Sequence, residues 1–167
     1  MKKILLLFAL IGITGLTSCE GPEGPAGAPG PEAEVFELLN VNFAFDNGGY
    51  SIYRTLNPNI YDSDNILIYR LSGTIDPQTP IWQLIPRTLY LNEGELDYDY
   101  DFSPVDFTIY AGGTYDLEQT PQYLDNQTFR IVIIPGYFSN RSTAVDLNDY
   151  NAVIQAYGID ESKIKQL

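Results

Sequence analysis

Between residues 95 and 102 acidic and apolar side chains alternate without a break. Glu95, Asp97, Asp99 and Asp101 fall on one parity, and Leu96, Tyr98, Tyr100 and Phe102 on the other. Successive side chains of an extended chain point to opposite faces, so this pattern predicts a strand with one wet and one dry face. Residues 128–134, Thr-Phe-Arg-Ile-Val-Ile-Ile, lack the alternation and are closed by Pro135-Gly136. Such a run predicts a strand deep in a sheet. Residues 66–71 are nearly as apolar and predict another central strand. Asn47-Gly48-Gly49 separates residues 41–45 from residues 50–55 and reads as a hairpin turn, because Asn and Gly tolerate positive φ. Pro86 interrupts the run 81–91, since proline donates nothing to a ladder. Residues 105–111 supply a further strand. Short strands with turn signals between them predict an all-β fold over residues 34–145: an antiparallel β-sandwich, Ig-like or jelly-roll-like.

The period changes after that. Leu147, Tyr150, Val153, Ile154 and Tyr157 recur at helical spacing, which predicts one short C-terminal helix within residues 146–167. Asp146 or Asn148 is the expected cap and Gly158 the expected end. The helix is expected to pack on the end of the sandwich, with the last ten residues trailing behind as a tail.

A different pattern precedes the strands. Lys2 and Lys3 lead into a mostly apolar run, Ile4 to Ile13. A membrane-spanning helix needs roughly 20 apolar residues, so residues 1–18 have the form of a secretory signal peptide instead. The run ends in Leu16-Thr17-Ser18-Cys19, which resembles the lipobox of bacterial lipoproteins. The resemblance implies a diacylglycerol thioether on Cys19, cleavage just before it, and acylation of the new amine by a chain such as palmitate. Two or more acyl chains hold a protein stably on a leaflet. Glu20 stands where an inner-membrane retention signal would place aspartate, so the resemblance implies the outer membrane, with the domain facing the periplasm or the cell surface.

Residues 19–33 follow the cysteine with glycine at 21, 24, 27 and 30, in the triplets GPE, GPA, GAP and GPE. This is the Gly-X-Y period of collagen, broken by Ala33. A triple helix uses that period to bring three chains to one axis, but four triplets provide few interchain bonds. Twelve such residues in polyproline II form would reach roughly 37 Å. The expectation is a semi-rigid spacer on a monomer; a trimeric stalk is the alternative.

Removal of Lys2 and Lys3 with the leader leaves seven basic against 22 acidic residues, a net charge of −15. Such a chain repels nucleic acid and anionic lipid, and attracts cations or basic partners. It contains no histidine, which removes Ser-His-Asp and Cys-His nucleophile systems and nearly all zinc sites. Cys19 is the single cysteine, so the chain forms no internal disulfide. Gly112-Gly113 lacks the lysine of a phosphate loop. Paired carboxylates could hydrolyse a glycosidic bond, but nothing in the sequence selects a pair.

Asp97, Asp99 and Asp101 echo a calcium loop, yet the sixth and twelfth positions hold Phe102 and Thr108 instead of Gly and Glu. A better calcium candidate is Asp62 with Asp64, in a predicted loop, although a capped turn is the ordinary explanation of such a pair. The 13 tyrosines and single tryptophan raise glycan stacking, with Trp82 between Pro80 and Pro86 as the candidate; core packing is the other explanation.

Cys19, then EGPEGPAGAPGP, then a β-rich domain containing FRIVIIP, then a short helix: this order resembles a group of short collagen-like lipoproteins of Gram-negative bacteria. The resemblance implies an envelope location and a soluble β-domain, with no catalytic residues to carry over. The expected function is a non-enzymatic, lipid-anchored module for protein interaction or envelope structure. The alternative is a glycan-binding accessory lipoprotein. The expected partners are the membrane, through Cys19, and an envelope protein or glycan.

Overall fold

The computed structural model describes residues 32–136 and 145–167; the leader, Cys19 and the Gly-X-Y triplets lie outside the described residues. Among the described residues ten strands form: β1 (Glu34–Val41), β2 (Ala44–Asp46), β3 (Gly49–Thr55), β4 (Asn65–Asp76), β5 (Thr79–Ile85), β6 (Arg87–Tyr90), β7 (Glu95–Phe102), β8 (Asp106–Gly113), β9 (Gln127–Ile134) and β10 (Lys165–Gln166). Helix α1 spans Tyr150–Tyr157.

The local chemistry explains the breaks. Asn47 and Gly48 both take positive φ, 50° and 85°, and join β2 to β3 in the tight turn that matches strand twist. Pro86, without an N–H, separates β5 from β6, and there the chain passes from one sheet to the other. Sheet I has the order β10-β1-β9-β4-β5, and sheet II the order β2-β3-β8-β7-β6. Neighbours run antiparallel except β1 and β10, which are parallel. The fold is thus an all-β sandwich with one short C-terminal helix.

The alternating stretch behaves as its pattern requires. Leu96 and Tyr98 of β7 are buried between the sheets, while Glu95, Asp99 and Asp101 face water. Facing them from sheet I are Leu38, Ile68, Phe129 and Ile131, all fully buried. The apolar run of β9 is buried on both faces. Phe129, Ile131 and Ile133 point into the inter-sheet core. Val132 and Ile134 point the other way, into a second cluster with Val35, Tyr69, Tyr150 and Val153. A third layer therefore covers the outer face of sheet I, and α1 supplies it.

Two expectations for the tail change accordingly. The helix lies on the face of sheet I rather than on the end of the sandwich, because Tyr69, Val132 and Ile134 give that face an apolar surface to cover. The last residues do not trail: after a turn at Glu161–Lys163, β10 pairs with Phe36 and Glu37 of β1 and extends the sheet. The cap of α1 is Asp149, whose side chain accepts from Ala152 N at 3.1 Å, and not Asp146 or Asn148. Gly158 ends the helix in the left-handed region at φ 65°, where glycine carries no Cβ penalty.

Beyond Arg70, β4 no longer pairs with β9 and continues with β5 as a two-stranded ribbon. The ribbon tip lies at the end of sheet I opposite to Glu34, where the chain enters the sandwich, since Glu34 pairs with Ile133 and Ile133 with Ile66.

This burial pattern sets a contrast in stability. Ile131→Ala should lower stability by about 2–5 kcal/mol, read from the urea midpoint. Ile75→Ala on the ribbon, where the side chain is exposed, should stay within about 0.5 kcal/mol of the parent.

Candidate functional site

The outer face of sheet I closes around one charge. Arg130 interrupts β9 on the side away from the inter-sheet core, and its register neighbours are Glu37 on β1 and Tyr69 on β4. Its Nε donates to Glu37 Oε2 at 3.2 Å. Its Nη1 donates to the Tyr150 hydroxyl at 2.6 Å and to Glu161 Oε1 at 2.5 Å. That hydroxyl donates onward to Glu161 at 3.1 Å. The guanidinium carbon stands 4.3 Å from the Trp82 ring centre and 5.1 Å from that of Tyr150. Tyr69 adds a bond from its hydroxyl to the Leu147 carbonyl at 2.7 Å. One strand cation thereby ties sheet, helix and tail together, and both of its carboxylates are already engaged.

Trp82, the candidate for glycan stacking, belongs to this clamp. It is half-buried, one ring face lies under Arg130, and it packs against Tyr150 at 5.6 Å between ring centres. That face is not open to a sugar. Trp82 Nε1 is buried and has no hydrogen-bond partner among the described residues.

Asp64 of the calcium candidate is committed to backbone. Its Oδ2 accepts from Tyr61 N at 3.0 Å, and its Oδ1 accepts from Gly136 N at 3.2 Å. It caps its own turn and ties that turn to the end of β9. Gly136 meets Ser63 so closely that no Cβ fits there. Asp62 is exposed beside it, and no cluster of three potential metal-binding side chains occurs among the described residues. The pair does not fit calcium, which takes six to eight oxygens.

A cavity of about 270 Å³ opens near the start of β1, floored by Phe36, Leu56 and Ile133 and rimmed by Glu32, Glu34 and Asp64. Glu34 is paired with Lys165 at 3.1 Å and Asp64 is held as above, so the rim offers no free carboxylate pair for acid–base work.

The outer face of sheet II differs. Register places Ser51, Tyr53, Asp106, Thr108, Tyr110, Asp97, Asp99, Asp101 and Tyr90 on it. Its strand positions carry neither lysine nor arginine. Tyr53 and Tyr90 are 54% and 79% exposed. Tyr53 donates to Asp106 Oδ2 at 3.1 Å, and Tyr110 donates to Asp101 Oδ2 at 2.9 Å. Two exposed rings are thereby held at fixed angles on an acidic surface. The alternation of residues 95–102 foretold the acids of this face. Sequence reasoning missed Arg130, although a cation inside an otherwise apolar strand is itself a signal, because buried charge must be paired.

The clamp has two measurable consequences. Arg130→Ala leaves Glu37 shielded and unpaired and should destabilise by about 3–5 kcal/mol. Glu161→Gln, nearer to solvent, should cost less than about 1 kcal/mol. The hydroxyls of Tyr69, Tyr98 and Tyr150 are pushed far above the ordinary tyrosine range, first by burial; Arg70 opposes this at Tyr98, and Arg130 at Tyr150. A phenol with a raised folded value supports the fold fully below about pH 10 and withdraws that support as pH rises toward the folded value. Ultraviolet titration of the folded chain at about pH 11 should therefore leave at least three of the 13 tyrosines unionised until the chain unfolds. Ionisation of all of them with circular dichroism unchanged would contradict the packing.

No family model, curated protein or solved structure matches this chain.

Proposed function

We propose that this chain is a lipid-anchored protein of the outer membrane that displays a non-catalytic β-sandwich, as a monomer, for contact with another envelope protein. Cys19 carries the anchor and residues 19–33 form the spacer. The reading rests on one asymmetry: helix and tail cover the outer face of sheet I, while tyrosines and carboxylates on the outer face of sheet II meet solvent. Exposed aromatic rings with a polar handle are common contact groups. A face of one charge sign selects a partner of the other, so the partner presents a basic surface.

Within sheet I, Glu34 and the ribbon tip lie at opposite ends. A second reading, glycan binding, is favoured by the fixed tyrosines Tyr53 and Tyr110, and no longer by Trp82.

Two experiments test the proposal. Wild-type chain should fractionate with membranes and incorporate labelled palmitate; Cys19→Ser should do neither, and a variant that still does both overturns the anchor. A photo-crosslinker placed at Tyr110 in living cells should give discrete protein adducts, and one at exposed Gln155 on α1 should not. Equal adducts at both positions, or none at Tyr110, overturn the protein reading. Glycan-array binding that disappears in the Tyr53→Ala, Tyr110→Ala double variant would establish the second one.

A further inference from the structure

We propose that Arg70 is the recognition group of an anion-binding groove at the ribbon end of the sandwich, and that the groove takes the carboxylate of an acidic sugar residue. Arg70 lies on the inward parity of β4, at the last position where β4 pairs with β9, and is only 7% exposed. Its Nε donates to Gln127 Oε1 at 2.8 Å. Gln127 is itself oriented, because its Nε2 donates to the carbonyls of Gln122 at 2.9 Å and Asp125 at 2.7 Å. The guanidinium carbon stands 4.7 Å from the Tyr98 ring centre and 5.7 Å from that of Tyr123. Head and stem are thus fixed before any ligand arrives, which lowers the ordering cost of binding.

What is missing is a counter-ion. Arg130, the other arginine set into a central strand, meets two carboxylates. Arg70 meets none among the described residues; its guanidinium is held by Gln127 and by the Tyr98 hydroxyl, neither of which carries a charge. Neither terminal nitrogen is both buried and without a partner, since Trp82 Nε1 is the one such side-chain atom among the described residues. Arg70 lines an open groove of about 450 Å³, together with Thr74, Gln122, Asn126 and Thr128. A desolvated guanidinium without an anion is the unusual feature, because buried charges are normally paired.

The groove's chemistry narrows the ligand. A planar guanidinium fork matches a carboxylate with two parallel bonds. The surrounding hydroxyl and amide side chains suit a ligand rich in hydroxyls. Asp125 lines the same groove, and with the chain's negative charge it disfavours a dianion such as phosphate. A uronic-acid type of sugar satisfies all three conditions. This site is separate from the outer face of sheet II and does not depend on which partner that face meets.

Saturation-transfer NMR on the full chain in detergent tests the proposal, with glucuronate, glucose and N-acetylglycine as ligands at millimolar concentration. Glucuronate should receive saturation, glucose should not, and N-acetylglycine should bind more weakly than glucuronate. Arg70→Gln should weaken glucuronate binding by about tenfold or more, the scale of a hydrogen bond to a charged group. Because Arg70 is buried, Thr74→Trp provides a second variant: the residue is exposed on the groove and makes none of the bonds that hold Arg70. It should reduce binding similarly with circular dichroism unchanged. No transfer to glucuronate, undiminished transfer in both variants, or N-acetylglycine binding as tightly as glucuronate would overturn the proposal; the last outcome would instead point to a peptide terminus.

Discussion

β9 is apolar on both faces, and that constraint shapes the rest of the molecule. A strand with Phe129 and Ile131 on one side and Val132 and Ile134 on the other must be covered twice. Sheet II covers the first side. Helix α1 and the chain that follows it cover the second, and β10 then closes against β1. Arg130 is the exception on the covered face, and it becomes the fastener: its charge is tolerated because Glu37, Glu161 and Tyr150 surround it. Such an arrangement fixes one position for the helix more than it adds net stability, since desolvation offsets much of the ion-pair attraction.

The same constraint leaves sheet II with a free outer side. Its central strands β7 and β8 alternate, so one parity feeds the core and the other meets solvent with aspartate and tyrosine. The functional proposal follows from this difference between the sheets together with the lipobox resemblance. The two arginines set into β4 and β9 show the same logic from opposite directions. Arg130 is paired with two carboxylates of its own chain and holds the fold, whereas Arg70 is oriented by its own chain and meets no carboxylate among the described residues.

Much of this was legible in the residues. Alternation over 95–102 gave a two-faced strand, the Asn-Gly turn gave the β2–β3 hairpin, and the unbroken run at 128–134 gave a central strand. The helical period gave α1 and its end at Gly158. The partner of that helix was harder to read. A period states which side of an element is apolar and not what covers it, although an unalternating β9 already required a second cover. The tail was misjudged because two residues pairing at an edge carry almost no pattern. Asp64 looked like a ligand and is a turn cap, since both uses need the same oxygens in a loop. Trp82 looked exposed between two prolines, but its environment depends on Arg130, 48 positions away along the chain.

Tyrosine nitration followed by peptide mass spectrometry tests the central claim most directly, with the purified chain compared against intact cells. The account predicts rapid modification of Tyr53, Tyr90 and Tyr110 in the purified protein and protection of Tyr69, Tyr98 and Tyr150. In cells, Tyr53 and Tyr110 should become shielded while Tyr69 and Tyr150 remain protected. Modification of Tyr69 and Tyr150 as fast as Tyr53 in the folded, purified chain would contradict it, because sheet I would then lack its third layer.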